Sequence, residues 1–283
     1  MKLLSWNIQW GRGLDGRVDL ARIAGEIRRI GEFDVICLQE VVVNFPGLPG
    51  NDSRDQVAEL AALLPGYTPI YAPATDLPDG RGGRKQFGNA IFTRLPVGQV
   101  WRHLLPWPVD AGVPSMQRVL LEAVVSADIG PLRVLTTHLE YYSGLQRQIQ
   151  IDAIRALHAE ACAHARRPRA GKGEEGGSFQ VFARPAAAVL CGDMNFPATA
   201  PERARLLAPM AAGVPAFRDS WEVLHPGTPH APTVGIHPVD FVDAPACFDF
   251  VFLGEDLAPR LKAHGIDAET TASDHQPVWV ELR

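Results

Sequence analysis

Cysteine is scarce in this chain, and basic residues are not in excess. Four of the 283 residues are cysteines, and they are widely spaced, without a Cys-x-x-Cys pair. This pattern favours small buried side chains in a reducing compartment over a disulfide framework or a zinc site, so we expect a cytoplasmic protein. The formal net charge of −5 gives no electrostatic footprint of a dedicated nucleic-acid binder, although a local basic strip would be compatible with it.

Long apolar runs are also lacking. No run approaches the about 20 residues of a membrane-spanning helix, and Asn7, Gln9 and Arg12 interrupt the apolar N-terminus before it could form a signal-peptide core. We therefore expect no membrane insertion, and nothing indicates an obligate protein partner. The length and the 46% hydrophobic content predict a single domain over residues 1–283. A Gly-, Lys- and Glu-rich stretch predicts a flexible insertion loop at 168–178.

The apolar residues recur with the spacing of strands and of amphipathic helices. Helices are predicted at 18–30, 55–64 and 144–166. Strands are predicted at 2–8, 34–38, 90–93, 119–125, 132–137, 186–191, 248–253 and 277–282. Many strands with interspersed helices favour an α/β sandwich in which two packed sheets are flanked by helices.

Short polar motifs follow or interrupt several of these apolar runs. Carboxylates, amides and imidazoles are costly at the ends of buried strands unless they are satisfied by one another, by a metal or by a ligand. Their recurrence therefore predicts one convergent site. In chain order the motifs are Leu4-Ser5-Trp6-Asn7, Leu38-Gln39-Glu40, Gly88-Asn89-Ala90-Ile91, Thr137-His138-Leu139, Gly192-Asp193-Met194-Asn195, Phe248-Asp249-Phe250 and Ser273-Asp274-His275.

The ordered set of motifs resembles the endonuclease/exonuclease/phosphatase superfamily. This group of metal-dependent enzymes includes deoxyribonuclease I, abasic-site endonucleases, neutral sphingomyelinases and inositol polyphosphate phosphatases. The resemblance extends from Lys2 to Leu282 in the family's motif order. It implies a deoxyribonuclease I-like fold, an α/β (α+β) four-layer sandwich of two packed mixed β-sheets flanked by helices, with the site at one edge of the sheets.

The resemblance also implies a metal site built from oxygen ligands. Glu40 is the strongest candidate for a direct ligand, because Mg²⁺ prefers carboxylate oxygens and retains several waters. The resemblance places Asn7 and Asp274 close to it as further candidate metal ligands. We expect Mg²⁺ as the cofactor, with Mn²⁺ as an alternative. An isolated Gln-Glu pair would instead be interpreted as a solvent-facing strand end, and the other motifs favour the metal role.

Asp193 and Asn195 are two positions apart, so both side chains can face the same cavity. Asp193 could polarise or deprotonate the attacking water, while Asn195 could donate to a phosphate oxygen or hold that water. Gly-Asp-x-Asn is also a good turn sequence. The apolar run that precedes the motif favours the catalytic interpretation.

Two histidines complete the implied site. The resemblance implies that His275 binds the scissile phosphate and acts as acid or base, while Asp249 accepts a hydrogen bond from its other ring nitrogen. His138 is typical of deoxyribonuclease I-like and sphingomyelinase-like members, and it predicts a second imidazole that protonates the leaving oxygen or stabilises phosphate charge. The structural alternative for His275 is a surface Ser-Asp-His loop. The alternative for His138 is a partly buried histidine whose hydrogen bonds are satisfied.

Asn89 and Arg118 are candidates for binding the substrate phosphate, a role that Asn7 could share. Asn89 could hydrogen-bond His138 or the phosphate. The guanidinium of Arg118 could grip two phosphate oxygens, or it could form a salt bridge at the rim.

Two departures from the family pattern limit the resemblance. The segment Cys247-Phe248-Asp249 lacks the arginine that family members often have before this aspartate, so a phosphate or loop contact made by that arginine is in doubt. The loop at 231–237 lacks the aromatic residues of abasic-site endonucleases. Recognition of damaged DNA by this loop is therefore not supported.

Together the residues predict a phosphoester hydrolase, first a phosphodiesterase or nuclease, in which a metal-polarised water attacks phosphorus in line with the leaving oxygen. DNA or RNA would then be the substrate. A phospholipid, a sugar phosphate or another small phosphoester is the alternative, which the acidic net charge favours. A catalytically silent binding module on the same fold would have lost acid, base or metal residues, and none of the principal ones is missing.

Overall fold

A computed structural model shows two six-stranded β-sheets packed face to face, with helices on both outer sides. It describes residues 1–167, 170–172 and 176–283. Within these residues the helices are α1 (Leu20–Ile30), α2 (Gln56–Leu63), α3 (Gly144–Arg166), α4 (Pro201–Leu207) and α5 (Ser220–Leu224). The strands are β1 (Lys2–Asn7), β2 (Val35–Val43), β3 (Thr68–Pro78), β4 (Arg84–Thr93), β5 (Val97–Leu104), β6 (Val119–Ala127), β7 (Gly130–His138), β8 (Ala188–Asp193), β9 (Phe217–Asp219), β10 (Asp249–Gly254), β11 (Leu261–Ile266) and β12 (Val278–Leu282).

Each sheet has one parallel strand pair at its centre. The first sheet has the order β11-β12-β1-β2-β4-β3 with β1 parallel to β2, and the second has the order β5-β6-β7-β8-β10-β9 with β7 parallel to β8. Because parallel strands end at the same edge, Asn7 lies beside Gln39 and His138 beside Asp193. Antiparallel β10 begins at this edge, which places Asp249 opposite Asp193. The polar motifs are therefore brought to one edge of the sandwich.

The central strands are buried on both faces. In β1, Leu3 belongs to the core between the two sheets, whereas Leu4 and Trp6 pack with residues of α1 and α2. The second sheet repeats this arrangement, since Val134 belongs to the core between the sheets and Leu135 packs with residues of α3. Burial on both faces explains why these strands are continuous apolar runs in the sequence. The resulting layers of helix, sheet, sheet and helix confirm the predicted four-layer sandwich.

Helix α3 has the bounds predicted from the sequence, and its first turn is capped by Ser143, whose hydroxyl accepts a hydrogen bond from the Gln146 amide. Strand β2 is longer than predicted, because it continues beyond an irregularity in its pairing with β4 between Leu38 and Val41. Glu40 lies in this irregularity.

Strands β3, β5, β9 and β11 were not predicted, and all four are the outermost strands of their sheets. β3 contains Pro69 and Pro73, which argue against a strand in the sequence. As the edge strand of its sheet, β3 can place its prolines where no ladder hydrogen bond is needed.

The four cysteines are buried and unpaired, as small core residues should be. Among the residues described above, no helix is long and apolar enough to cross a membrane. Of the predicted insertion loop, residues 168–169 and 173–175 lie outside the described residues. The flexibility of that loop and the single-domain organisation stay predictions.

Candidate active site

The polar motifs converge on one cleft of about 240 Å³ at the shared edge of the two sheets. Most of the residues proposed from the sequence line this cleft, namely Glu40, Arg118, His138, Asp193, Asn195, Asp274 and His275. Asn7, Asn89 and Asp249 are 1%, 2% and 2% exposed and do not line it. The predicted site residues therefore lie together, but only those that line the cleft can touch a substrate directly.

Glu40 and Asp274 bring two carboxylates to the cleft. Glu40 has φ of 60°, a left-handed backbone conformation that is uncommon for a residue other than glycine and is often found at functional sites. Burial and the charge of Asp274 raise the pKa of Glu40 to about 7, and burial also raises the pKa of Asp274. Carboxylates that are buried close to each other favour a bound cation.

Asn7 links Glu40 to a third carboxylate of the cleft, that of Asp193. Its amide nitrogen donates to Glu40 Oε1 at 3.1 Å and to Asp193 Oδ2 at 3.0 Å, while its side-chain oxygen accepts from the Gln9 backbone at 3.1 Å. Both N–H groups are thus engaged with carboxylates. The predicted phosphate contact of Asn7 would require one of these bonds to break.

The Ser273-Asp274-His275 segment is fastened to β1 and to the turn after it. The Ser273 hydroxyl donates to the Asn7 carbonyl at 2.7 Å, and the Trp6 indole donates to the His275 carbonyl at 2.9 Å. Gln9 donates to Asp274 Oδ2 at 2.5 Å. These bonds fix the segment at 273–275 to residues 6–9, although most of the chain separates the two in sequence. They exclude the free surface loop considered from the sequence.

The two histidines of the cleft differ in their electrostatic surroundings. His275 Nδ1 lies 2.9 Å from Asp249 Oδ2 and its Nε2 lies 3.6 Å from Asp193 Oδ2. Burial alone would lower the pKa of His275, but the charges of Asp249 and Asp193 raise it well above the usual value. For His138, burial and the positive charges of Arg118 and His275 lower the pKa well below the usual value. These surroundings favour the protonated form of His275 and the neutral form of His138.

Asp193 and Asn195 both line the cleft. Asp193 Oδ1 accepts from the Asn195 backbone at 3.0 Å, which is the Asx turn considered from the sequence. The Asn195 side chain donates to the Leu139 carbonyl at 2.8 Å. Burial raises the pKa of Asp193 to about 6, although His275 opposes the shift. Asp193 and Asn195 thus form the turn and also face the cleft, so the two interpretations of the motif do not exclude each other.

Arg118 makes the salt bridge considered from the sequence and still faces the cleft. Its Nε lies 3.3 Å from Oε2 of Glu140, a 1% exposed residue that the sequence did not single out. Glu140 also accepts from the backbone amides of Tyr141 and Tyr142. Neither terminal amino group of Arg118 has a hydrogen-bond partner among the described residues, so both remain available to an anion.

Asn89 does not make the predicted hydrogen bond with His138. Its amide donates to the Val119 carbonyl at 3.1 Å and so joins the two sheets behind the cleft. His138 Nδ1 has no hydrogen-bond partner within the described part of the chain. Asn89 bonds to Val119 because β4 and β6 pack against each other across the sandwich. No local sequence motif reveals this contact.

An aromatic wall, which the sequence did not predict, borders the cleft beside His275. It consists of Tyr141, Tyr142 and Phe241. The Phe241 ring is stacked on the His275 ring at 5.8 Å between centroids, and the Tyr141 hydroxyl donates to the Phe241 carbonyl at 3.0 Å. The double tyrosine after the His138 motif was the available signal, whereas Phe241 lies just beyond the loop at 231–237.

Comparison with known proteins agrees with this arrangement. The sequence model of the Endonuclease/Exonuclease/phosphatase family matches residues 4–275. The chain belongs to this family. A comparison with curated proteins gave no match.

Solved structures similar to this endonuclease/exonuclease/phosphatase family member cover essentially its whole length. An endonuclease/exonuclease/phosphatase from Beutenbergia cavernae is 25% identical with a TM-score of 0.68, over 100% of this chain and 71% of that one. A mannosyl-6-phosphatase from Bacteroides thetaiotaomicron is 18% identical with a TM-score of 0.65, over 100% and 99%. The D. rerio TDP2 in complex with a single-strand DNA product is 19% identical with a TM-score of 0.61, over 99% and 97%. The last two likenesses show the fold alone.

The endonuclease/exonuclease/phosphatase family depends on divalent metals, and two sets of candidate ligands lie in or beside the cleft. Ligand atoms of Asp193, Asp249 and His275 lie within 4.8 Å of one another and could hold a metal ion. His275 Nδ1, however, is already bonded to Asp249. Glu40 and Asp274 offer carboxylate oxygens and have no Arg or Lys partner among the described residues. This second pair fits a hard divalent cation better.

Proposed function

We propose that this protein is a divalent-metal-dependent phosphoester hydrolase that acts first on phosphodiesters, such as those of DNA or RNA. The supporting observation is the set of contacts around Asp193 Oδ2. This oxygen lies 3.4 Å from His138 Nε2, 3.6 Å from His275 Nε2 and 3.0 Å from Asn7 Nδ2. A carboxylate flanked by two imidazoles, with a guanidinium in the same cleft, suits the activation of water beside a phosphate.

Glu40 and Asp274 would hold the metal, Mg²⁺ or Mn²⁺, with Asn7 close to both. When bound, the metal would neutralise charge that develops on the phosphate oxygens. The raised pKa of Glu40 supports this assignment, because a cation is what would favour its ionised form.

The remaining steps belong to the side chains of the chain itself. Asp193 would orient the attacking water and accept its proton, while Asn195 would help to hold that water or a phosphate oxygen. The His275 imidazolium would hydrogen-bond the phosphate, with Asp249 fixing its tautomer. Arg118 would bind a further phosphate oxygen through its two terminal amino groups.

His138 would act differently from His275 because its surroundings favour the neutral ring. A neutral imidazole can donate one hydrogen bond to the leaving oxygen, but it adds no positive charge. The stabilisation of phosphate charge would then fall to His275 and Arg118. His138 would hold the leaving oxygen by a hydrogen bond, and the proton for that oxygen would come from the His275 imidazolium.

A small phosphoester is the second candidate substrate, and the aromatic wall favours it. Nucleic acids need several cations along their backbone, whereas Arg118 is the one Arg or Lys that lines the cleft in the described chain. Tyr141, Tyr142 and Phe241 would suit a ring or an apolar group next to a single phosphate. The mannosyl-6-phosphatase and the DNA-bound TDP2 among the similar structures are consistent with either choice.

The test is a hydrolysis panel with Mg²⁺ or Mn²⁺ that contains plasmid DNA, abasic-site duplex, RNA, sphingomyelin, glycerophosphodiesters, inositol phosphates and mannose 6-phosphate. His275→Ala serves as the control for contaminating activities. Hydrolysis of at least one substrate by the native protein and not by this variant supports the proposal. Binding of a substrate without any turnover would instead favour the silent binding module.

A further inference from the structure

Thr233 lies behind the cleft and contacts the pair formed by Asp249 and His275. It is 0% exposed, and its hydroxyl donates to Asp249 Oδ2 at 2.7 Å. The same carboxylate oxygen lies 2.9 Å from His275 Nδ1. Three side chains therefore form one chain of hydrogen bonds that ends at the ring facing the cleft.

The backbone determines the direction of the Thr233 hydroxyl. This oxygen accepts hydrogen bonds from the Phe248 amide at 3.0 Å and from the Asp249 amide at 3.1 Å. A hydroxyl has two lone pairs and one hydrogen. Because both lone pairs are engaged, the hydrogen is left for Asp249.

Asp249 depends on this donor more than a solvated carboxylate would. Its Oδ1 is buried without a hydrogen-bond partner in the described structure, and its Oδ2 meets only the Thr233 hydroxyl and His275. Without the hydroxyl, the carboxylate would be anchored solely by the imidazole that it is expected to orient. The hydroxyl therefore fixes the orientation of the Asp249 carboxylate independently of His275.

The main chain of Thr233 joins the segments that carry the other two groups. Its amide donates to the Ala246 carbonyl at 2.8 Å, three residues before Asp249, and its carbonyl accepts from the Gln276 amide at 2.7 Å, next to His275. The residue thus sets the spacing between the two segments as well as the orientation of the carboxylate.

We propose that Thr233 is a positioning residue whose hydroxyl holds Asp249 so that Asp249 can orient His275. The inference rests on the proposed function of His275 in phosphoester hydrolysis. It concerns a residue that the sequence motifs do not contain, since Thr233 lies in a loop outside them.

The first test compares Thr233→Val, which removes the hydroxyl at constant shape, with Thr233→Ser, which keeps it. Thr233→Val should lower kcat by about 10- to 100-fold while KM stays within about twofold, and Thr233→Ser should restore most of kcat. Equal losses in both variants, or a loss confined to KM, would overturn the proposal.

Thr93→Val is the matched control. Thr93 is also 0% exposed, and its hydroxyl likewise donates to a carbonyl, that of Asp34, and accepts from a backbone amide, that of Leu95. It pairs with Val35 at the start of β2, which is the edge of the sandwich opposite the cleft. Its replacement should lower the melting temperature without lowering kcat.

A double-mutant cycle separates a positioning role from a general loss of packing. In the Asp249→Asn background, Thr233→Val should cost little further kcat, because the group through which it acts is already altered. Multiplicative losses would show that Thr233 acts by another route. If Thr233→Val does not fold, the cycle uses Thr233→Ala, which removes the hydroxyl without adding a methyl group.

A measurement that needs no turnover distinguishes this inference from the proposed function. The ¹⁵N resonances of the His275 imidazole should change in Thr233→Val and remain near those of the native protein in Thr233→Ser and Thr93→Val. Unchanged resonances in a folded Thr233→Val protein would overturn the inference. If the native protein hydrolyses nothing in the panel but the resonances change as expected, the proposed function fails and the positioning contact stands.

Discussion

Two buried groups of charged side chains, one around Glu122 on β6 and one in the cleft, have their charges balanced in different ways. Around Glu122, Arg184 donates two hydrogen bonds of 3.0 Å, His103 lies at 3.0 Å and Arg133 at 3.6 Å. Burial alone would raise the pKa of Glu122, but these partners hold it at about 2. This group, which we call the Glu122 cluster, needs no ligand to compensate its carboxylate.

The cleft has the opposite balance. Burial raises the pKa of Glu40 to about 7 and that of Asp193 to about 6, and the arginine of the cleft already serves Glu140. Carboxylates that stay under-compensated in the folded protein indicate a place where a cation and a substrate complete the structure. The comparison teaches that burial of charge is uninformative by itself, whereas the sign of the pKa shift separates a structural cluster from a candidate active site.

Removal of metal should have the largest effect on activity. Exhaustive chelation should abolish hydrolysis, and Glu40→Gln should raise the metal concentration for half-maximal rate by about tenfold or more, because one ligand charge is lost at constant shape. Metal titrations of the steady-state rate measure both effects. Glu26→Gln on the outer side of α1 is the control, and full activity in the presence of chelator would contradict a metal-dependent mechanism.

The two histidines should come next. His275→Ala and His138→Ala should each lower kcat by about 10²- to 10⁴-fold, and the double variant should lose much less than the product of the single losses, since both rings act at Asp193. Steady-state kinetics of the three variants and of the exposed control His164→Ala test this. Strictly multiplicative losses would place one ring outside the reaction.

In the metal-free protein, the free energy of unfolding should respond differently to substitutions in the Glu122 cluster and in the cleft. Glu122→Gln should lower the free energy of unfolding by about 3–5 kcal/mol, because it leaves buried guanidinium groups without their counter-ion. Glu40→Gln should leave it unchanged or raise it, because it removes repulsion with Asp274. Urea denaturation in the presence of chelator measures both, and a larger loss for Glu40→Gln would reverse the comparison.

Acid should weaken the protein through two histidines outside the cleft, His158, which is buried, and His264, which is partly buried. Burial lowers the pKa of both His158 and His264 to about 4, so the unfolded chain, with an ordinary value near 6.5, takes up protons first as the pH falls. Their contribution is complete above about pH 6.5 and is lost toward pH 4, at about 1.4 kcal/mol for each unit of pKa shift.

Urea denaturation between pH 7 and pH 4.5 should therefore show a falling free energy of unfolding. His158→Gln should reduce this slope, whereas replacement of the exposed His164 by Gln should not. A slope that is the same in all three proteins would mean that His158 is not responsible for the acid sensitivity.

The sequence by itself determined the central strands, the three long helices and the polar residues of the cleft. The reason is that strands buried on both faces must be continuous apolar runs, so polar residues at their ends are conspicuous. The motif order was sufficient to indicate the family. The roles of the individual residues stay predictions, and so does a cytoplasmic location.

Only the tertiary structure decided which groups pair with which. Asn89 donates to Val119 rather than to His138, Glu140 holds Arg118, and Thr233 reaches Asp249. Each of these contacts joins residues from different strands or loops, so its geometry depends on the packing of the two sheets and their loops. Local periodicity contains no information about such contacts, because it reports only which face of an element is buried.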